Sequence, residues 1–191
     1  MACPRVRWFL GFGVVLLLAW SAESSDPLDP AQRLAEAEAN LSGADSERER
    51  FYALATAAKL SFEAQMNEEA ETYALELLDL AQSLERDWNY GNAIHDGNMV
   101  MGRLALVHGD AEEAKRRLLE AGKTPGSPQL SSFGPNMSLA QDLLAVDERE
   151  AVIEYLRQCL EFWELGREKL KDWIALIEGG RRPDFGANLV Y

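Results

Sequence analysis

The sequence predicts an all-α protein, and three observations support that class. Apolar residues recur at the 3.6-residue period of amphipathic helices over most of the chain. No stretch shows the alternation of apolar and polar residues that is typical of a half-buried strand. Turn residues separate the periodic segments, as His108-Gly109-Asp110 does between two of them. We therefore expect helices that are joined by turns.

The composition is that of a folded and acidic protein. The chain has 191 residues, a length that is enough for one domain with a substantial core. Of these residues, 47% are hydrophobic. Its formal net charge is -13 at pH 7. Because binding to a phosphate backbone requires clustered cations, nucleic acid is not an expected partner.

Residues 1–21 have the pattern of a secretory signal peptide. Arg5 and Arg7 precede a mostly apolar run at residues 8–20, and small residues follow it. The run is shorter than the roughly 20 apolar residues that cross a bilayer. We expect export to the periplasm or the extracellular space, with an uncleaved membrane anchor at residues 8–20 as the alternative. No other membrane contact is predicted.

Five helices are predicted before residue 123. Residues 22–45 form a polar linker and a short helix, in which Asp29 is the N-cap, Pro30 the first helical residue and Leu41 close to the end. The periodicity then predicts a helix at about 47–65 and another that ends near Arg86. Two further helices follow at about 92–107 and 111–121, and Gly122 ends the last of these.

The segment at residues 123–136 interrupts this regular pattern. It contains three prolines and two glycines, and it is longer than most connections between helices. Leu130 and Phe133 give it apolar side chains to bury. We therefore expect an ordered loop that folds over the helices.

The remainder of the chain is again helical in pattern. A short helix is predicted from Gly134-Pro135 to about Val146. The apolar phase from Val152 to Ile177 fits either one long helix or two helices with a bend at Gly166. Residues 181–191 form a tail that is expected to pack on the domain, with Phe185 as an aromatic to bury.

Three segments that join a turn to a helix resemble tetratricopeptide repeats. Ala70, Ala114 and Ala151 each follow acidic residues at the start of a helix, at spacings of 44 and 37 residues. In that family, a small residue in the first helix of a pair meets a small residue in the second. Gly102 with Ala114 satisfies this pattern, as does Ala58 with Ala70. The resemblance covers roughly residues 47–163, and the hairpin 93–125 carries it most clearly.

This resemblance implies a right-handed α-solenoid of about three stacked antiparallel helix hairpins, which fills a domain at residues 46–180. The first helix of the clearest repeat departs from the family pattern at Asn98 and Ala105, and Leu139 occupies a position where the third repeat should be small. The chain also looks like an uncharacterised group of exported bacterial proteins with a similar loop rich in glycine and proline. That second likeness implies no activity.

Solenoids of this kind bind ligands on the concave surface that the first helix of each repeat lines. The family's groove positions fall here on six residues that we take as candidate binding residues: Tyr52, Lys59, Phe62, Asp96, Met99 and Arg103. Lys59 and Arg103 are equivalent positions of adjacent repeats, and two such cations can hold a carboxylate or an acidic peptide. The alternative is that each pairs with a neighbouring acid such as Glu63 or Asp96.

His95 and Asn98 stand in a segment that is dense in polar and aromatic residues. Asn98 lies on the apolar phase of its helix, so its side chain must be hydrogen-bonded if it is buried. We expect His95 and Asn98 to support the backbone of the 123–136 loop.

A catalytic interpretation of the same segment uses His95 as a general base. Asp96 or Asp184 would orient it, and Ser131 or Ser132 would be the nucleophile. The residue spacing does not require this arrangement. The two histidines are 13 residues apart and no cluster of cysteine and histidine exists, so we predict neither a metal nor a cofactor, and no catalytic residue.

The function predicted from the sequence is that of an exported helical-repeat protein that binds a protein or peptide, or acts as a scaffold, without catalysis. One alternative is an enzyme with a pocket near His95 under the 123–136 loop. Another is a structural subunit of an envelope complex. Cys159, on an apolar stripe, is expected to be a buried hydrophobic residue.

Overall fold

A computed structural model describes residues 29–189, and every regular element in that range is helical. This confirms the all-α class for the described part of the chain, while the predicted signal peptide at residues 1–21 lies outside it. None of the helices between residues 29 and 189 is long and apolar enough to cross a bilayer. The α-helices in this range are α1 (Pro30–Ser42), α2 (Glu47–Glu63), α3 (Asn67–Ser83), α4 (Tyr90–Val107), α5 (Ala111–Gly122), α6 (Pro128–Phe133), α7 (Ser138–Ala145), α8 (Arg149–Cys159) and α9 (Arg167–Glu178).

Short polar side chains fix the beginnings of several helices. The Ser46 hydroxyl accepts from the backbone N–H of Glu49 at the start of α2, at 3.2 Å. The Asp110 carboxylate accepts from the N–H of Glu113 at the start of α5, at 2.9 Å. Such N-caps satisfy backbone donors that have no partner inside the helix. They explain why the periodic segments begin where the turn residues predict.

The predicted loop contains a helix of its own. Ser127 caps α6 by accepting from the N–H of Leu130 at 3.0 Å, and Pro128 occupies the first turn, where its missing N–H is harmless. Leu130 is buried as expected, but the prediction for Phe133 is wrong because its side chain is 78% exposed. The following helix, α7, begins at Ser138 instead of Gly134-Pro135.

The apolar phase from Val152 to Ile177 belongs to two helices, and the break between them precedes Gly166. Helix α8 ends at Cys159, and a 3-10 turn at Glu164–Gly166 leads into α9. Phe162 and Trp163 lie between the helices and are both buried. The aromatic residues that prolong the helical pattern therefore pack into the core from a turn.

Consecutive helices contact each other from α1 to α5 and again from α7 to α9. We refer to α2 with α3, α4 with α5, and α7 with α8 as the first, second (middle) and third hairpins. Helix α4 also contacts α2, α3 and α7, so the middle hairpin touches both of the others. Helix α1 packs on α2, and α9 packs on α8. Helix α6 lies between the second and third hairpins in the chain and contacts α4 and the 3-10 turn at Glu164–Gly166.

Gly102 explains how α7 reaches the middle hairpin. A Cβ atom at Gly102 would lie 2.3 Å from Leu139 Cδ2, well inside van der Waals contact. Leu139 itself is fully buried. The small residue that this contact needs is thus supplied by α4, and the large residue by α7.

The described residues after α9 also pack on the helices. Phe185 is buried and meets Trp173 of α9 edge to face, with ring centroids 4.9 Å apart. A 3-10 turn at Gly186–Leu189 follows. Cys159 is fully buried as expected, and burial raises the pKa of its thiol.

Candidate functional site

A cleft of about 360 Å³ lies between α2 and α4 on one side and α6 with the residues that follow it on the other. One side is formed by α2 and α4, which contribute Tyr52, Lys59 and Asp96. The opposite wall is formed by residues 129–130 and 133–136, and residues 187–188 close one part of it. We call this depression the polar cleft. It brings together three of the six residues that were predicted to bind a ligand.

A charged pair stands in the polar cleft. Lys59 Nζ donates to Asp96 Oδ2 at 2.9 Å, and both side chains are largely buried. Burial raises the pKa of Asp96, but the charge of Lys59 and the hydrogen bond from His95 outweigh that effect and hold the pKa at about 2. Asp96 is therefore an anion at neutral pH, and Lys59 pairs with an acid as the alternative interpretation proposed.

His95 connects this pair to the opposite wall. Its ring is fully buried, with Nδ1 3.0 Å from Asp96 Oδ1 and Nε2 3.0 Å from the hydroxyl of Tyr155. The Tyr155 hydroxyl in turn donates to the carbonyl oxygen of Asn136 at 3.2 Å. His95 thus reaches the predicted loop through Tyr155 of α8, and not by a direct bond to the loop backbone.

Asn98 does not support the loop, which corrects the prediction. Its amide nitrogen donates to the carbonyl oxygen of Ile94, one turn earlier in α4, at 2.9 Å. Its amide oxygen accepts from Arg117 of α5 at 3.2 Å. The side chain is buried and hydrogen-bonded as its position on the apolar phase requires, but its partners belong to the α4–α5 hairpin.

Hydrogen bonds with α7 and with the 3-10 turn at Gly186–Leu189 hold the wall around Asn136 in place. Asn136 Oδ1 accepts from the N–H of Ser138 at 2.8 Å and from its hydroxyl at 2.5 Å. Asn188 Nδ2 donates to the carbonyl oxygens of Phe133 and Pro135, at 3.2 and 3.1 Å. The 3-10 turn at Gly186–Leu189, which we call the C-terminal turn, is therefore hydrogen-bonded to the wall of the polar cleft.

One donor of this wall has no partner within residues 29–189. The Asn136 Nδ2 amide is buried and makes no hydrogen bond, although the residue lines the polar cleft. Asn136 as a whole is only 8% exposed. A buried amide N–H without an acceptor is unfavourable, so this position costs the fold some stability.

The edge of the cleft near the start of α4 depends on a close backbone approach. A Cβ at Gly91 would lie 1.8 Å from the carbonyl oxygen of Gly126, so only glycine fits there. The Thr124 hydroxyl donates to the Gly91 carbonyl at 2.7 Å. The Ser127 hydroxyl donates to Asn92 Oδ1 at 2.5 Å. These contacts attach the 123–136 segment to α4.

Aromatic side chains flank the cleft on both sides. The Tyr52 hydroxyl is hydrogen-bonded to the Asp87 carboxylate at 2.9 Å, and its ring centroid lies 5.6 Å from that of the half-exposed Trp88. On the opposite wall, Phe133 lines the cleft and is mostly exposed. Phe133 and Trp88 therefore add apolar surface near the rim of a polar cavity.

The other predicted binding residues lie elsewhere. Phe62 and Arg103 line a second groove near the C-terminal ends of α2 and α4. There the guanidinium of Arg103 lies 4.4 Å from the ring centroid of Phe62, and its Nε donates to Asp142 Oδ2 of α7 at 2.9 Å. Arg103 thus pairs with an acid from a helix that the sequence argument did not connect to it.

Met99 is not available as a groove contact, which corrects the prediction. It has no exposed surface, and it belongs to the same core cluster as Leu139, Ala140 and Leu143 of α7. Helix α7 packs against α4, and Met99 is buried in the core that the two helices share.

Of the residues of the catalytic interpretation, His95 and Asp96 meet in the polar cleft, and the others do not join them. Asp184 accepts from the N–H of Gly186 in the C-terminal tail, at 2.9 Å. Ser131 and Ser132 are not among the lining residues, whereas the nearest hydroxyl to His95 is that of Tyr155. No group of three or more metal-ligating side chains occurs among residues 29–189.

Comparisons with models of protein families, with curated proteins and with solved structures return no match for this chain.

Proposed function

We propose that this chain is an exported, non-catalytic helical-repeat protein that binds a segment of another protein or a peptide in the polar cleft. In this proposal the three helix hairpins form a short tetratricopeptide-like solenoid, with α2, α4 and α7 as its inner helices. The contacts of α4 with both α2 and α7 support that arrangement.

The observation that carries the proposal is the convergence of four parts of the chain on one cavity. Helices α2 and α4, the wall at residues 133–136 and the C-terminal turn all line the polar cleft. The cavity combines an ion pair, several amide side chains and an exposed aromatic ring. Concave sites with a few convergent polar groups are where proteins most often bind ligands.

The second groove is the weaker candidate for this role. Its walls come from α2, α4 and the turn between α2 and α3. Arg103, its main cation, is already engaged by Phe62 and Asp142.

The test is selection of peptides against the full-length chain from two phage-displayed random libraries. One library flanks each peptide with glycine–serine spacers on both sides, and the other leaves its C-terminus free. Selected peptides are then measured against Thr56→Trp, which places an indole in the cleft from an exposed position on α2. Thr72→Trp is the matched control, because Thr72 is an exposed threonine of α3 outside the cleft.

The proposal predicts peptides that bind the wild type and Thr72→Trp equally, and Thr56→Trp at least about tenfold more weakly, a change of about 1.4 kcal/mol. Peptides that bind all three proteins alike, or a failure of both libraries, would contradict it.

A further inference from the structure

We propose that His95 and Tyr155 form a pH-dependent switch, in which the charge of His95 decides whether the Tyr155 hydroxyl is bonded to the wall of the polar cleft. When the His95 ring is charged, the hydroxyl donates to the carbonyl oxygen of Asn136. When the ring is neutral, the hydroxyl donates to His95 Nε2 and the wall loses this bond to α8. The switch goes beyond the proposed function, because it concerns the protein itself and holds whatever ligand the cleft takes.

The switch consists of hydrogen bonds that connect α4, α8 and the wall. His95 Nδ1 lies 3.0 Å from Asp96 Oδ1, and its Nε2 lies 3.0 Å from the Tyr155 hydroxyl. The same hydroxyl lies 3.2 Å from the carbonyl oxygen of Asn136. Neither His95 nor Tyr155 has exposed surface, so their polar atoms need partners inside the protein.

The proton on His95 Nδ1 is fixed by its neighbour. Asp96 is an anion, and its other oxygen, Oδ2, accepts from Lys59 Nζ at 2.9 Å. An ionised carboxylate can only accept hydrogen bonds, so Nδ1 must carry a proton whether the ring is charged or neutral. A change in the charge of His95 therefore takes place at Nε2.

The proton on Nε2 determines the partner of Tyr155. A hydroxyl has one proton to donate, and Tyr155 has two acceptors within reach only when Nε2 is unprotonated. A protonated Nε2 donates to the Tyr155 oxygen, which leaves the hydroxyl proton for Asn136. After Nε2 loses its proton, its lone pair would face a lone pair of the Tyr155 oxygen at 3.0 Å. The hydroxyl therefore turns to Nε2, which is also the closer acceptor.

The charged groups that face His95 act on it in opposite directions. The Asp96 carboxylate attracts a proton to the ring, and the ammonium group of Lys59, from α2, repels it. On α8, Cys159 lies one turn after Tyr155, and burial raises the pKa of its thiol so that it stays neutral. The four other charged residues of α8 are exposed, and Tyr52 of α2 is hydrogen-bonded to Asp87. The remaining partly buried charged side chains of the helices that contact α4 pair with other residues: Arg50 with Glu76, Arg117 with Glu113, Lys115 with Glu148, Lys123 with Glu120, and Arg103 with Asp142.

The first experiment follows both ends of the switch by NMR between about pH 5 and 8, where histidine side chains ordinarily change charge. The full-length chain has two histidines, so 15N labelling resolves His95, and His108→Gln assigns it. The 13C shift of the Asn136 carbonyl reports the hydrogen bond that this carbonyl accepts. We expect this shift to change with the same midpoint as His95 Nε2, while Nδ1 stays protonated. An Asn136 shift that does not follow His95, or a His95 that keeps one charge throughout, would overturn the inference.

The second experiment measures the wall by amide hydrogen exchange, corrected for the intrinsic effect of pH. The N–H groups of Met137 and Ser138 are bonded within the wall. In the wild type their protection should fall at least about threefold as His95 becomes neutral, because the wall loses a hydrogen bond. Tyr155→Phe removes the hydroxyl and should abolish this change. Tyr73→Phe is the control, since Tyr73 of α3 lies outside the cleft, and it should behave as the wild type.

A pH-dependent protection that persists in Tyr155→Phe, or none in the wild type, would contradict the switch. The NMR titration uses a wild-type switch and does not depend on how well Tyr155→Phe folds. Neither experiment contains a ligand, so a failure here leaves the proposed function standing. A failure of the peptide selection in turn leaves the switch untouched.

Discussion

The polar cleft and the second groove occupy similar faces of the same two helices, yet they differ in what covers them. Lys59 and Arg103 are equivalent in the repeat pattern, and each forms an ion pair with a carboxylate. The Lys59–Asp96 pair has side chains that are 17% and 15% exposed, whereas those of Arg103 and Asp142 are 23% and 39% exposed. The cleft is enclosed by an additional wall, and the groove is not.

This difference shows that the irregular segments, and not the helices themselves, make the two ends of the shared helix faces different. Asn188 of the C-terminal turn donates to the Phe133 and Pro135 carbonyls of the 123–136 segment, and its own carbonyl accepts from the N–H of the next residue, Met137, at 2.7 Å. Because these segments stand opposite Lys59, they produce a partly enclosed site there. The end that carries Arg103 remains an open surface.

The largest expected loss of stability comes from a substitution that separates the 123–136 segment from α4. Gly91→Ala would place a methyl group against the backbone of Gly126, whereas Gly102→Ala would meet mainly the flexible end of Leu139. We expect Gly91→Ala to lower the free energy of unfolding by about 3 kcal/mol and Gly102→Ala by about 1–2 kcal/mol. Urea denaturation measures both changes. Equal values for the two variants would show that the wall is not rigidly attached to α4.

The second prediction compares the two ion pairs. Asp96→Asn removes the carboxylate that binds both Lys59 and His95, and we expect a loss of about 2–3 kcal/mol in the free energy of unfolding. Asp142→Asn breaks a pair that is more exposed, so its effect should stay below about 1 kcal/mol. Thermal and urea unfolding of both variants provide the measurement. A larger loss of stability for Asp142→Asn than for Asp96→Asn would contradict the prediction that the more buried ion pair contributes more stability.

The third prediction is the pH dependence of the first pair. The pKa of Asp96 is about 2 in the folded chain, compared with 3.8 for an aspartate without such contacts. This lowering of the pKa corresponds to about 2 kcal/mol of stability. That contribution is fully present above about pH 5 and is lost as the pH falls from 3.8 toward 2. The wild type should therefore lose more stability than Asp96→Asn over this interval. Asp172→Asn, which alters an exposed carboxylate of α9, serves as the control, and a wild type that parallels Asp96→Asn would contradict the prediction.

The helices were predictable from the sequence because their signals are local. Apolar residues at a period of 3.6, with caps such as Asp110 and stops such as Gly122, define α2 to α5 to within a few residues of the observed bounds. The end of α3 lies at Ser83 and not near Arg86, and α8 ends at Cys159, before the bend at Gly166 that one of the two alternatives predicted, since in both places the apolar pattern continues into a turn. A pattern of this kind reports burial, and a turn can bury its side chains as well as a helix can.

The candidate site was only partly predictable because its contacts are distant in sequence. Lys59 and Asp96 followed from the repeat pattern, and so did the error at Met99, since the pattern does not show that α7 covers it. Asn136 and Asn188 are 52 residues apart in the chain, and no local signal connects them. The unusual composition of residues 123–136 was the one indication that this part of the chain is special.

Photo-crosslinking tests most directly whether the polar cleft, and not the second groove, holds the ligand. p-Benzoylphenylalanine is introduced at Gln129, an exposed position in the wall of the cleft, or at Val107, an exposed position in the second groove. A peptide selected against the full-length chain is then added, and the crosslinked product is identified by mass spectrometry. We predict crosslinks from Gln129 that an excess of free peptide abolishes, and none from Val107. Crosslinks from Val107 alone would contradict the assignment of the binding site.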